Sequence, residues 1–225
     1  MLAELKVFVP RAVWTVLKEI GPDFERETST KLSINYGLSG EYLKKINAGE
    51  PFDVISAPPP ALDGLVRDGK VLASSKVNLV RSEVGVIVRA GSPKPDISSV
   101  EAFKQTLLKA QSITYLPLPG VPQMLERLGL KEAIASKTRV PDSDISTELV
   151  AKGEVELAVV VITQAFTTPG VELVGTLPRE LQQYGLFGVA ISSTTQVRGL
   201  AQKLVDTLRS PRAIEIMKSQ GMEPM

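Results

Sequence analysis

Apolar residues cluster near the start of the chain, where residues 5–9, interrupted only by Lys6, read as a strand. Pro10 then opens a stretch in which Val13, Val16, Leu17, Ile20 and Phe24 recur at spacings of three and four, predicting a helix with one buried face. The succession returns with an alternating run at 32–36, a glycine turn and a helical run at 41–48. A short buried strand at 52–56 follows, then a helix at 61–68 after Pro58-Pro59-Pro60. Strands alternating with helices imply parallel β-α units.

The second half repeats this logic. A strand at 84–89 ends at Gly91-Ser92-Pro93, a helix covers 98–110, and a strand at 112–116 runs into the loop 117–122 and a helix over 123–128. A helix at 142–152 with acidic residues in its first turn precedes a buried strand at 157–162. The chain closes with extended runs at 171–174 and 185–192, an amphipathic helix through Val197, Leu200, Leu204 and Leu208, a break at Ser210-Pro211, and a short helix over 213–218.

Among these turns, Gly37-Leu38-Ser39-Gly40 carries the most information. It joins an alternating run to a helix start and places a hydroxyl at the turn. Helix N-termini hold unpaired N–H groups and the positive end of the macrodipole, so this turn can receive an anion; Ser39 can equally serve only as a cap. Pro10-Arg11 and the 117–122 loop are further strand-to-helix turns of the type where open α/β sheets bind ligands.

Composition narrows the chemistry. With 225 residues, 43% hydrophobic, the chain can bury one large core or two smaller ones, and a net charge of +1 argues against a general nucleic-acid binder. There is no histidine and no cysteine, which removes the Ser-His-Asp triad, thiol nucleophiles and ordinary zinc sites together. Neither a P-loop nor a G-x-G-x-x-G motif is present, and no cofactor is expected. Asp142, Asp144 and Glu148 lack the glycine and ligand count of a calcium loop and read as helix-start acids; no metal is expected. No apolar run approaches the roughly 20 residues needed to span a bilayer. The start, Met1-Leu2-Ala3, fits a secreted chain whose signal peptide has been removed.

Taken together, Val7-Phe8-Val9 before a helix, Gly37-Leu38-Ser39-Gly40, Lys44-Lys45-Ile46-Asn47-Ala48-Gly49 and Pro51-Phe52-Asp53-Val54-Ile55-Ser56-Ala57 form a family pattern. It continues through Leu65-Val66-Arg67-Asp68-Gly69-Lys70-Val71, Leu125-Glu126-Arg127-Leu128-Gly129-Leu130 and Gly153-Glu154-Val155-Glu156-Leu157-Ala158. Over nearly its whole length the chain resembles the molybdate-type periplasmic substrate-binding proteins of ABC transporters, a branch of the type 2 periplasmic binding fold. The stretch 169–178 resembles a side branch that includes aconitate isomerase-like proteins.

The resemblance implies two α/β lobes, each a mainly parallel sheet flanked by helices, joined by a two-stranded hinge. Lobe one would hold residues 1–80 and 189–225, and lobe two residues 81–188. A small carboxylate or oxyanion would sit in the cleft between them, and a monomer would deliver it outside the cytoplasm to an ABC permease by hinge closure. The ligand-binding positions carried over are Arg11, Ala12, Ser39, Gly40, Pro119 and Val161. Several depart from the family pattern: Ala12 stands where molybdate binders offer serine, Val161 replaces a tyrosine, and the 117–122 loop is shorter. Arg11 replaces a small neutral residue, and its guanidinium fork suits a carboxylate if it does not face solvent or pair with a neighbouring acid. An isomerase on the same scaffold is the alternative; its base would be a carboxylate, lysine or tyrosine, while Glu41 and Tyr42 read as a dipole partner and a core residue. A regulator's effector domain is disfavoured by the missing helix-turn-helix, and Trp14 reads as packing.

Overall fold

The computed structural model describes residues 3–116, 120–141 and 145–225. In chain order the first elements are β1 (Ala3–Val9), α1 (Arg11–Thr28), β2 (Thr30–Tyr36), α2 (Ser39–Asn47), β3 (Val54–Ala57) and α3 (Pro59–Arg67). Then come β4 (Val77–Arg89), α4 (Val100–Lys109), β5 (Ile113–Tyr115), α5 (Val121–Arg127), α6 (Lys131–Ile134) and β6 (Thr138–Arg139). The remainder comprises α7 (Ser146–Ala151), β7 (Leu157–Val161), α8 (Thr163–Thr167), β8 (Val171–Thr176), β9 (Tyr184–Ile191), α9 (Arg198–Leu208), α10 (Pro211–Ser219) and β10 (Met222–Pro224).

These elements form two compact units. Unit 1 contains the chain up to Arg81 together with Leu186–Met225, and unit 2 is Ser82–Gly185. The chain passes from one to the other inside β4 and returns inside β9.

In unit 1, β1 pairs in parallel with β2 and with β3, placing Leu5 opposite Leu32 and Val7 opposite Val54. β9 joins β3 antiparallel, with Ala57 opposite Gly188. Because successive strand residues point to opposite faces, β1 feeds two cores. Val7 and Val9 pack under α1, α9 and α10 with Val13, Leu17, Phe24, Leu204, Leu208 and Met217. Phe8 points the other way, toward Tyr42 and Ile46 of α2, Ile55 of β3, and Leu62 and Leu65 of α3. A strand buried on both faces must be apolar at consecutive positions, which is why Val7-Phe8-Val9 has no polar break.

Unit 2 mixes directions. β5 is parallel to β6 and to β7, whereas β4 runs antiparallel to β7 and to β8. The β4–β8 register shifts between Val86 and Ile87. Beside that irregularity, a Cβ added to Gly85 would lie 2.4 Å from the Gly175 carbonyl oxygen and 2.8 Å from Ile162 Cγ2. Glycine at 85 is therefore set by the close approach of two backbones.

Both units are α/β, as the alternation of periods predicts. The differences lie in short pieces: α6, α8, β6 and β10 are additional to the elements expected, and β4 begins at Val77 instead of residue 84. Within the helix expected at 142–152, the described part starts at Ser146, and Asp142 and Asp144 lie outside the described residues.

Candidate anion site

The carboxyl ends of β1, β2 and β3 share one edge of unit 1, and a helix starts after each of them. They present different chemistry. α3 begins Pro58-Pro59-Pro60, residues without N–H groups; the next N–H, of Ala61, is already bonded to the Pro58 carbonyl at 2.9 Å. This start offers no donors. α1 begins after Pro10 without a side-chain cap, and the N–H groups of Val13 and Trp14 both reach the Pro10 carbonyl at 3.0 Å. The earlier N–H groups, of Arg11 and Ala12, have no intrahelical acceptor by construction of the helix.

α2 starts in the same way. The Glu41 carboxylate accepts the Leu38 N–H at 3.1 Å, leaving the N–H groups of Ser39 and Gly40 as the first-turn donors. Gly37 makes room for that carboxylate, since a Cβ there would come within 2.8 Å of Glu41 Oε2. By contrast, a Cβ on Gly40 would meet nothing within 4 Å, so packing does not demand glycine at 40 and the backbone there is bare. The two helix starts are neighbours: the Gly37 N–H donates to the Val9 carbonyl at 3.3 Å, and Tyr36 stacks on Trp14 with ring centroids 4.2 Å apart. Lys18 lies 5.7 Å from the Trp14 ring centroid. Arg11, Ala12, Ser39 and Gly40 thus gather on one edge; Ala12 is buried, Arg11 and Ser39 are half-buried and Gly40 is exposed.

Behind this edge, Tyr42 donates its hydroxyl to the Ser56 carbonyl at 2.7 Å. Burial pushes the phenol well above its ordinary range, so Tyr42 stays protonated. Reading Tyr42 as core accounts for its ring and misses its oxygen. The Ser56 hydroxyl is buried with no hydrogen-bond partner. Such a group costs about 1–3 kcal/mol.

In unit 2, Val161 ends β7 as a buried residue opposite Val84, and Pro119 lies outside the described residues. Buried hydroxyls collect near the carboxyl ends of β5 and β7. Ser82 and Thr163 share a hydrogen bond of 2.8 Å, Thr114 donates to Ser146 at 3.3 Å, and Thr147 is fully buried beside Ser146. Their sequence signal is a run of small polar residues opening a short helix next to an apolar strand. Among the described residues, no group of three or more acidic side chains could hold a metal ion, and no helix is long and apolar enough to cross a membrane.

Asp23, Asp96 and Glu101 lie below their ordinary values, held down chiefly by Arg26, by the Ser98 backbone N–H and by Gln105 respectively. A depressed carboxyl stabilises the fold above its ordinary value, and that contribution is lost as pH falls through it. With no histidine or cysteine in the chain, no side chain ordinarily titrates between about pH 5 and 8. The expected result is a melting temperature flat from about pH 5.5 to 8 and falling below about pH 4.5. A step between 6 and 7 in a calorimetric pH series would contradict it.

Residues 5–223 match the family described as Bacterial extracellular solute-binding protein. An aconitate isomerase from Pseudomonas sp. is 32% identical over 98% of this chain and 88% of its own length. The molybdate-binding protein ModA of Azotobacter vinelandii is 28% identical over 97% of this chain and 89% of its own. The solved periplasmic molybdate-binding protein of Azotobacter vinelandii superposes with a TM-score of 0.79 at 21% identity, covering 97% of this chain and 98% of that one. A match that spans nearly every element described above, including the edge where α1 and α2 begin, places this chain in the bacterial extracellular solute-binding protein family.

Proposed function

We propose that the chain captures a small anion carrying carboxylate groups and hands it to an ABC permease outside the cytoplasm. The observation that carries this reading is the pair of adjacent helix starts at Arg11-Ala12 and Ser39-Gly40, which bring first-turn N–H groups and the residue Ser39 to a single edge, with Arg11 as the first residue of α1. Neutral donors satisfy any oxyanion. The guanidinium adds a planar two-pronged partner that matches a carboxylate, and Ala12 withdraws the hydroxyl that the molybdate binders use. Similarity to an isomerase of a tricarboxylate supports the same ligand class.

That similarity also favours a second reading, in which the same site moves a proton next to a carboxylate. Tyr42 is an unsuitable base, because its phenol is buried and its proton is committed to the Ser56 carbonyl. Glu41 brings a carboxylate to the Ser39 turn, on the first turn of α2, where it accepts the Leu38 N–H.

The deciding experiment is a thermal-shift screen of the protein and its Arg11→Ala variant against molybdate, tungstate, sulfate, phosphate and a set of di- and tricarboxylates. A ligand at about 100 times its Kd adds about 2.7 kcal/mol, which is several degrees for a chain of this size. A tricarboxylate shift that disappears in the variant is the expected result; a molybdate shift that the variant keeps would remove Arg11 from the site. Proton NMR of aconitate incubated with the protein then separates capture from isomerisation, since only an isomerase interconverts the cis and trans forms.

A further inference from the structure

The first turn of α1 is held from its carbonyl side. Whereas Glu41 accepts the Leu38 N–H at the start of α2, α1 begins without a side-chain cap, so its first N–H groups stay open. One turn in, Thr15 is buried, and its Oγ1 lies 2.9 Å from the Ala12 carbonyl oxygen and 2.6 Å from Gln220 Oε1. A hydroxyl has one proton, which cannot serve two acceptors at once. With the Gln220 amide turned over, every atom is matched: Nε2 donates to Thr15 Oγ1, and the Thr15 hydroxyl donates to the Ala12 carbonyl. Gln220 is itself fixed, because it closes α10 and its backbone N–H donates to the Ile216 and Met217 carbonyls at 3.2 and 3.1 Å.

We propose that Gln220 is a positioning residue: through Thr15 it fixes the first turn of α1 and keeps the Arg11 and Ala12 N–H groups in place for the anion. The proposal rests on the reading of that turn as part of the anion site. A side-chain cap would occupy the N–H groups that the anion needs, and a helix start held by nothing frays. The bond from Thr15 to the Ala12 carbonyl, three positions back, ties the same turn and consumes none of them. Packing alone does not account for these two residues. α1 and α10 already share a core through Val13, Val16, Ala213 and Met217, where valine and methionine would fill the places of Thr15 and Gln220 without polar atoms. The contact spans 205 positions of sequence, so a turn laid down by the first β-α unit is set by a residue at the close of α10.

The test pairs Gln220→Met with Thr15→Val, changes that keep the bulk and remove the bond. Amide hydrogen exchange of the ligand-free proteins comes first. The Val16 N–H, whose helical acceptor is the Ala12 carbonyl, should exchange roughly three- to tenfold faster in Gln220→Met, while the Ile20 and Phe24 amides keep their rates. Faster exchange along all of α1 and α10, or no change at Val16, would overturn the proposal, since a packing role loosens the whole contact. Calorimetric titration with trans-aconitate follows. Each single variant should bind roughly three- to tenfold more weakly, and the double variant as Thr15→Val does, because Gln220 acts through Thr15. Unchanged affinity in Gln220→Met, or losses that multiply, would overturn the proposal as well. If the wild-type protein does not bind trans-aconitate, the carboxylate reading fails by itself, and the exchange at Val16 decides the role of Gln220.

Discussion

Replacing Phe8 with alanine is expected to destabilise unit 1 by about 3–5 kcal/mol. Phe8 is 1% exposed, on the central strand of the three that run parallel, and its ring meets α2 and α3 side chains in one core. Truncation removes the transfer free energy of the ring and leaves a cavity, and β1 cannot move to fill it without giving up ladder bonds on both sides. The Tyr42 ring loses its packing partner at the same time. At roughly 2–4 °C per kcal/mol for a chain of this size, the melting temperature should drop by well over 5 °C. Urea titration followed by circular dichroism measures it. A loss under about 1.5 kcal/mol would mean that the core between β1 and α2 is looser than described, and the placement of the Ser39 turn would lose its support.

The second large effect belongs to unit 2. Gly85→Ala should cost about 3 kcal/mol, although it adds a single methyl group. The atom in the way is the Gly175 carbonyl oxygen at 2.4 Å, a backbone atom of β8, and Ile162 Cγ2 closes the other side at 2.8 Å. Backbone cannot rotate aside as a side chain can, so β4 and β8 would have to part at the point where their register already shifts. Unfolding should begin in Ser82–Gly185, with faster amide exchange in β7 and β8 than in β1 and β2. Unchanged exchange in β8 would show that the strands absorb the methyl group without separating.

The long elements were legible because their burial has a period. Val13, Val16, Leu17, Ile20 and Phe24 are buried together on α1, and the apolar residues of 5–9 read as the strand that β1 is. The start of β4 was not legible, because Asn78 and Arg81 interrupt its apolar residues, and the burial of Leu79 and Val80 in the unit 1 core shows only once α1, α9 and α10 pack there. α6 and α8 span only four and five residues, too few for a period to register. In the candidate site, Ser39 and Arg11 could be read from the turns that carry them. Pro58-Pro59-Pro60 was visible too, but its meaning, a helix start stripped of donors, depends on knowing that α3 opens on the same edge. The bond from Tyr42 to Ser56 left no trace at all. Its acceptor is a carbonyl, which every residue possesses, and only the packing of α2 on β3 brings it into reach.

The division of unit 1 into two separated stretches also has a consequence for biogenesis. A ribosome releases the chain from its N-terminal end, so all of Ser82–Gly185 emerges before the segment from Leu186 onward. Until then β3 lacks its β9 neighbour, and the face carrying Val7, Val9 and Val13 lacks the cover of Leu204, Leu208 and Met217. The interrupted unit is thus the last to close, and the nascent chain carries an open apolar face past the completion of its inserted partner. Such a face is what holding chaperones bind.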